Sequence, residues 1–186
     1  DESEPLRLIY VGNMGRSYDL LTTVRAVRAL AEAGEHIRLD LAGTGPKEAL
    51  LRREAKGCEA IRFYGYLSNE DMQQLLADSD VAIVPMFPDS FVAVPYKLAD
   101  YTAAGLPMVC SLTGETQGLI ERYRAGTMYR AGDVANLMEV LRGYLHQRSR
   151  ITQESLASAR IARENFMMDA IYPEFVHFLT DLCRRD

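Results

Sequence analysis

At 186 residues, with 48% hydrophobic and 25% charged side chains, the chain has the make-up of one globular domain, which excludes a disordered tail, a fibrous repeat and a disulfide scaffold. Its net charge of -5 argues against broad contact with nucleic acid, and Cys58, Cys110 and Cys183, odd in number and without CxxC spacing, indicate neither a disulfide frame nor a zinc site. Apolar runs such as Val81–Phe87 fall far short of the roughly 20 residues of a membrane span, and the acidic opening Asp1–Pro5 is no signal peptide, so a cytoplasmic location is expected.

Short apolar runs alternate with longer amphipathic ones, the pattern of β-α units feeding a parallel sheet. A first strand, Leu6–Gly12, ends in glycine, and the spacing of leucine, valine and alanine predicts a helix over Tyr18–Ala33, stopped by Gly34. Ile37–Gly43 is a second strand, and Pro46 opens a second helix at the turn where its missing N–H costs nothing. A third strand, Ile61–Tyr66, leads into a helix capped by Ser68 with acids in its first turn. Val81–Met86, apolar almost throughout, reads as a strand covered on both faces. A short helix Pro95–Ala104, a strand Pro107–Ser111, a helix Thr116–Tyr123 and a strand Thr127–Arg130 follow. From Asp133 the pattern stays helical through Val134–Gln147, Ile151–Asn165 and Met168–Arg184, with Pro173 early in the last. The expected fold class is α/β: a doubly wound parallel sheet of about six strands with a C-terminal helical tail.

In such sheets ligands bind beyond the carboxyl ends of the strands, so the loops there carry the candidate site. Gly12, Asn13, Met14, Gly15 and Arg16 link the first strand to a helix. Glycines admit close backbone approach, free amides favour an anion, and Arg16 can add a bidentate phosphate contact. A tight turn with a solvated arginine fits the same residues. The second glycine loop, Gly43 to Lys47 with Gly45 at its centre, is either a turn chosen for geometry or a ligand contact. Tyr66 is a core or rim residue whose ring could face a flat base. Lysine occurs only at Lys47, Lys56 and Lys97, so its placement is informative. Lys97 and Asp100 stand three apart on one helical face. They form either a plain intrahelical ion pair or a divided site, lysine to phosphate and carboxylate to two sugar hydroxyls. His36, His146 and His177 are scattered, which argues against a metal site, and Cys110 is expected to pack as a small apolar residue.

Taken in order, YVGNMG at 10–15, LAGTGP at 41–46, FYGY at 63–66, LLADSDVAIVP at 75–85, PYKLADYTAAGLP at 95–107 and AGTMYRAGD at 125–133 carry a resemblance. From Leu6 to Cys183 the chain resembles the C-terminal, nucleotide-sugar donor-binding domain of a GT-B-fold retaining glycosyltransferase, of the glycosyl transferases group 1 type. The resemblance implies that residues 1–5 are a linker remnant and 6–186 the donor-binding domain, with an N-terminal acceptor domain outside this chain and part of the catalytic machinery there. It places Gly12, Asn13, Gly15, Arg16 and Gly45 around the donor diphosphate and Tyr66 by the base. Asp100 matches a family glutamate that binds the ribose hydroxyls, and Lys97 neutralises phosphate or braces that acid. Backbone amides from Phe91 to Val94 approach the sugar or distal phosphate.

Two departures stand out. The family position that often holds a sugar-binding glutamate is Val92, and the usual lysine after the first-strand loop is missing around Arg16, Ser17 and Tyr18. The resemblance implies transfer of a sugar from a UDP- or GDP-sugar to a glycan or lipid-linked acceptor, in bacterial polysaccharide or lipopolysaccharide synthesis, without metal or cofactor. The full-length enzyme would work at the inner face of the membrane, and this piece alone would transfer nothing. Phe166, Tyr172, Phe175 and Phe178 are then expected to form an exposed apolar patch facing the other domain. The alternative is a free-standing flavodoxin-like ligand-binding or regulatory module. A receiver of that kind needs acids at strand ends where this chain has Gly12-Asn13 and Gly65-Tyr66.

Overall fold

Alternation of side chains builds the first strand, β1 (Leu6–Val11): Leu6, Leu8 and Tyr10 pack to one side of the sheet, Ile9 and Val11 to the other. The computed structural model describes residues 4–87 and 90–183, so Asp1–Ser3 of the expected linker remnant and Arg184 at the expected helix end lie outside the described residues. After β1 come α1 (Leu20–Glu32), β2 (Ile37–Ala42), α2 (Glu48–Glu54), β3 (Ile61–Gly65) and α3 (Asn69–Ala77). These are followed by β4 (Val81–Val84), α4 (Lys97–Ala103), β5 (Met108–Cys110), α5 (Glu115–Tyr123) and β6 (Gly126–Met128). The tail consists of α6 (Val134–His146), α7 (Ser149–Ile161), a π-helical turn (Ala162–Phe166) and α8 (Met168–Cys183).

The strands form one parallel sheet in the order β3-β2-β1-β4-β5-β6, the doubly wound arrangement that the alternating pattern predicts. α1, α2 and α6 cover the face of Leu8 and Tyr10, while α3, α4, α5 and α7 cover the face of Ile9. Boundaries shift by a few residues, each for a local reason. α1 starts at Leu20 because the Asp19 carboxylate accepts the Thr22 amide and ends the preceding loop. α2 starts at Glu48, two residues past Pro46, and α7 runs into the π turn, which ends at the extended Met167 before α8.

The order reverses between β1 and β4, so the loops leaving these neighbouring strands diverge and leave a crevice at the carboxyl edge. That edge is stitched together by polar contacts. Ser111 Oγ accepts the Met86 amide and donates to the Met86 carbonyl, and Tyr18 forms a short antiparallel bridge with Met86. The Asp19 carboxylate also accepts the Gly132 amide, which ties the loop after β6 to the start of α1.

α7 returns across the second face, where Ile161 is fully buried and Ser158 Oγ donates to the Leu106 carbonyl at 2.7 Å. α8 instead lies against the π turn with Tyr172, Phe175 and Phe178 more than half exposed, at 56%, 53% and 58%. Phe166 departs from the expected patch: it is partly buried against the second core, because the π turn swings it inward. Among the described residues no helix is long and apolar enough to cross a membrane.

At the crevice, the closest crossing of two loops is glycine on glycine. Gly43 has φ +116°, and a Cβ there would lie 2.1 Å from the Gly12 carbonyl oxygen, whereas Gly57 has φ +79° and open space. Gly43→Ala is therefore expected to lose about 3 kcal/mol or more in urea unfolding, and Gly57→Ala only about 1 kcal/mol, the cost of φ alone.

Candidate active site

The crevice is floored by two loops that bond to each other through backbone. The Gly12 amide donates to Ala42, the Met14 amide to Thr44 at 2.9 Å, and the Lys47 amide to Met14 at 3.0 Å. A Cβ on Gly45 would meet Met14 N at 2.7 Å, so Gly45 is set by loop-on-loop packing. Tyr10 Oη donates to the Asn13 carbonyl at 2.6 Å, and the Val11 amide donates to Tyr101 Oη, which props the first loop from below. Lys47 clamps it from the side: Nζ donates to the carbonyls of Arg16 and Tyr18 at 3.1 and 3.0 Å and stands over the Phe87 ring. These contacts hold Gly12, Asn13 and Gly15 at the crevice rim.

Beside them a cavity of about 340 Å³ opens between the ends of β1, β2 and β3, lined among others by Gly12, Asn13, Gly43, Tyr66 and Leu67. Tyr66 is a rim residue, 88% exposed. Met72 joins this cavity to a second cleft of about 290 Å³ between α3 and α4, where Asp100 sits with Leu76 and Ala104. Asp100 is exposed and makes no hydrogen bond or ion pair among the described residues; partial burial in the cleft raises its carboxyl pKa from its ordinary value. Arg16 is likewise exposed and without a side-chain partner among the described residues, and it lines an open hollow with Phe87 and Phe91. Val94 is half-buried beside α5, whose Thr116 hydroxyl donates to the neighbouring Ala93 carbonyl, and Val92 is 38% exposed. The expected loop from Phe87 to Lys97 includes Pro88 and Asp89, which lie outside the described residues.

The position of Lys97 removes the ion pair, one of the two alternatives that the sequence left open. The lysine does not pair with Asp100, although the two stand three apart. Lys97 falls on the buried stripe of α4 with Leu98 and Tyr101, and Asp100 on the open side. The Lys97 side chain crosses the carboxyl edge of the sheet and ends between two rings, with Nζ 3.9 Å from the centroids of both Tyr10 and Tyr18. Those rings meet edge to face at 5.7 Å. A Cβ placed on Gly12 would come within 3.1 Å of Lys97 Nζ, so the amine lies directly under the first glycine loop. Lys97 is only 8% exposed, and its Nζ has no hydrogen-bond partner among the described residues. Cation–π attraction offsets part of the cost of burying the charge. Burial nevertheless pulls its pKa from 10.5 down to about 7.

Sequence reasoning found Lys97 but did not single out Tyr10, Tyr18 or Tyr101. The scarcity of lysine was the usable signal, since Lys47 and Lys97 both converge on the one loop. Cys110 packs as expected: it is fully buried, its thiol is pushed up to about 12 by burial, and Sγ accepts the Leu112 amide. Among the described residues no group of histidine, cysteine or acidic side chains is arranged to hold a metal ion.

A family model for glycosyl transferases group 1 matches residues 5–147. The chain belongs to that family. It is 23% identical over 185 residues to the amylovoran biosynthesis glycosyltransferase AmsK of Erwinia amylovora, covering 96% of this chain and 46% of the relative. It is 32% identical over 114 residues to a GDP-mannose-dependent alpha-(1-6)-phosphatidylinositol dimannoside mannosyltransferase of Mycobacterium tuberculosis, covering 61% of this chain and 29% of the relative. Its fold superposes on Anabaena Alr3699/HepE, solved in complex with UDP, with a TM-score of 0.80 at 16% identity, covering 97% of this chain and 50% of that one. The chain thus spans half or less of the length of each of these relatives. The architecture is that of the C-terminal, Rossmann-like domain of a GT-B glycosyltransferase, as the ordered motifs suggested.

The buried amine of this group 1 domain makes stability depend on pH. Between pH 7 and about 10 the unfolded chain holds the Lys97 proton and the folded one does not, so folding becomes more favourable as pH rises through that window. Relative to Lys97→Met, the native chain is expected to gain about 1 kcal/mol per pH unit from pH 7 to 9.5 in urea titrations. A difference that stays flat with pH would show the amine to be solvated.

Proposed function

We propose that this domain binds the nucleoside diphosphate sugar of a retaining glycosyltransferase, which moves the sugar to a glycan or lipid-linked acceptor in bacterial polysaccharide or lipopolysaccharide synthesis. The observation that carries the reading is the crevice itself. A cleft beside the strand-order reversal has the backbone of Gly12 and Asn13 on one wall, cations beside and beneath it, and on the opposite helix a carboxylate without a partner among the described residues. A diphosphate against Gly12, Asn13 and Gly15 gains Arg16 from solvent and Lys97 from below, with Gly45 holding the second loop in place. The uracil or guanine base lies by Tyr66, and Asp100 accepts the ribose hydroxyls. The sugar contact that Val92 cannot make falls to backbone around Val94.

The cations and loop amides neutralise the leaving diphosphate, so the donor site requires neither metal nor cofactor. Relatives named for amylovoran biosynthesis and for phosphatidylinositol dimannoside transfer support a glycan or lipid-linked acceptor. The exposed rings of α8 suit contact with an N-terminal acceptor domain of the same enzyme, working at the cytoplasmic face of the membrane. Family membership favours this reading over a free-standing flavodoxin-like module.

Titration with uridine and guanosine diphosphates beside flavin mononucleotide tests the proposal, and a preference for the flavin would overturn it. Arg16→Ala is expected to weaken diphosphate binding by about 1–3 kcal/mol and nucleoside binding far less. Asp100→Asn turns one acceptor oxygen into a donor and is expected to cost about 1–3 kcal/mol of nucleotide affinity with the melting curve unchanged. A 2′-deoxynucleotide then binds the native domain more weakly and loses little more in the variant. Equal binding of ribose and deoxyribose ligands by the native domain would remove Asp100 from the site.

A further inference from the structure

Most buried lysines have a carboxylate or a carbonyl at Nζ; Lys97 has neither among the described residues. The groups around it are accounted for. Tyr10 from β1 and Tyr18 from the loop before α1 present ring faces, and burial pushes the Tyr10 phenol up, so it stays neutral. On α4 itself, Tyr101 is buried and directs its hydroxyl to the Val11 amide, while Asp100 faces the other cleft. Asp19 is committed to the Thr22 and Gly132 amides, and Lys47 to the carbonyls of Arg16 and Tyr18. Among the described residues no anion neutralises this amine, and the surface directly above it is the Gly12 backbone, where a Cβ would already crowd it.

We propose that Lys97 Nζ is a proton-linked counter-charge for the ligand: when a diphosphate settles on the Gly12–Arg16 loop, the amine takes a proton from solvent and is held as ammonium between Tyr10 and Tyr18. The inference rests on the nucleotide reading above and adds its regulation by pH. The balance is simple. Nζ supplies its lone pair, solvent supplies the proton, and the two ring faces with the diphosphate above supply the negative potential that keeps it there. An amine poised near neutrality in the empty site is the expected consequence of this enclosure. Such a site binds donor more tightly on the acid side of neutrality and releases it as pH rises.

The test uses the 186-residue chain and nucleotide sugars, whose doubly esterified diphosphate does not itself titrate near pH 7. Calorimetric titration with UDP-glucose and GDP-mannose in buffers of different ionisation enthalpy counts the protons exchanged. Whichever donor binds is expected to bring about half a proton or more onto the protein at pH 8 and almost none at pH 6, with affinity falling about tenfold from pH 6.5 to 8.5. Lys97→Met is expected to abolish both the uptake and the slope. Because lysine occurs only at 47, 56 and 97, ε-carbon-labelled lysine NMR of the native chain gives a check that needs no variant. The Lys97 signal should titrate near neutrality when free and at higher pH when bound. Donor binding without proton uptake at pH 8, or an unmoved Lys97 titration, overturns the inference and leaves the nucleotide site standing. Failure of both donors to bind at either pH overturns the nucleotide reading beneath it.

Discussion

Everything at the open end of this sheet depends on one steric constraint, the passage of Gly43 past the Gly12 carbonyl with no room for a side chain. Because the two strand ends touch backbone to backbone, the loops that follow can bond to each other rather than to side chains, through the Met14–Thr44 and Lys47–Met14 pairs. That pairing holds the first loop at the rim of the crevice. It also leaves a thin floor, a single layer of backbone beneath which a lysine amine can sit. A larger residue at Gly43 would push the loops apart, and one at Gly12 would crowd the amine itself.

The second organising element is the use of aromatic rings where an acid would ordinarily stand. Two tyrosines around Lys97 exclude water as a carboxylate would not, and offer only the weak attraction of their π faces. A carboxylate partner would hold the ammonium charged at all working pH values and cancel the positive potential at the loop. The tyrosines leave that potential uncancelled and responsive. The hydroxyls do separate work: Tyr10 Oη props the Asn13 carbonyl, so the same side chain shapes the loop above and the cage below.

The rest of the domain supplies rigidity to this edge. Ser111 locks the ends of β4 and β5, Asp19 joins α1 to the loop after β6, and Lys47 pins the outer limb of the first loop. The tail behaves differently, since α7 completes the second core through Ile161 and Ser158 while α8 keeps its rings outside. Those exposed rings add nothing to either core, so the tail beyond the π turn is not part of what holds the crevice together.

Much of this was legible in the chain itself. Period-two runs and amphipathic helices are local patterns, so the order of strands and helices, the α/β class and the glycine loops at strand ends could be read directly, and Asp100 could be singled out from its motif. Boundaries moved where a single capping contact decided them, as Asp19 did for α1. The placement of Lys97 could not be read, because side chains three apart are neighbours on a helix, yet the edge of the buried stripe can pass between them. Packing of α4 against Ile9 and Val84 turned Lys97 inward and Asp100 outward. The tyrosine cage joins residues 10, 18 and 97, and only the strand reversal between β1 and β4 brings them together. Local sequence determined which groups this protein carries to the open edge of its sheet. Tertiary structure decided which of them face solvent and which are sealed beneath a glycine, because burial is a property of the assembled layers and not of any one segment.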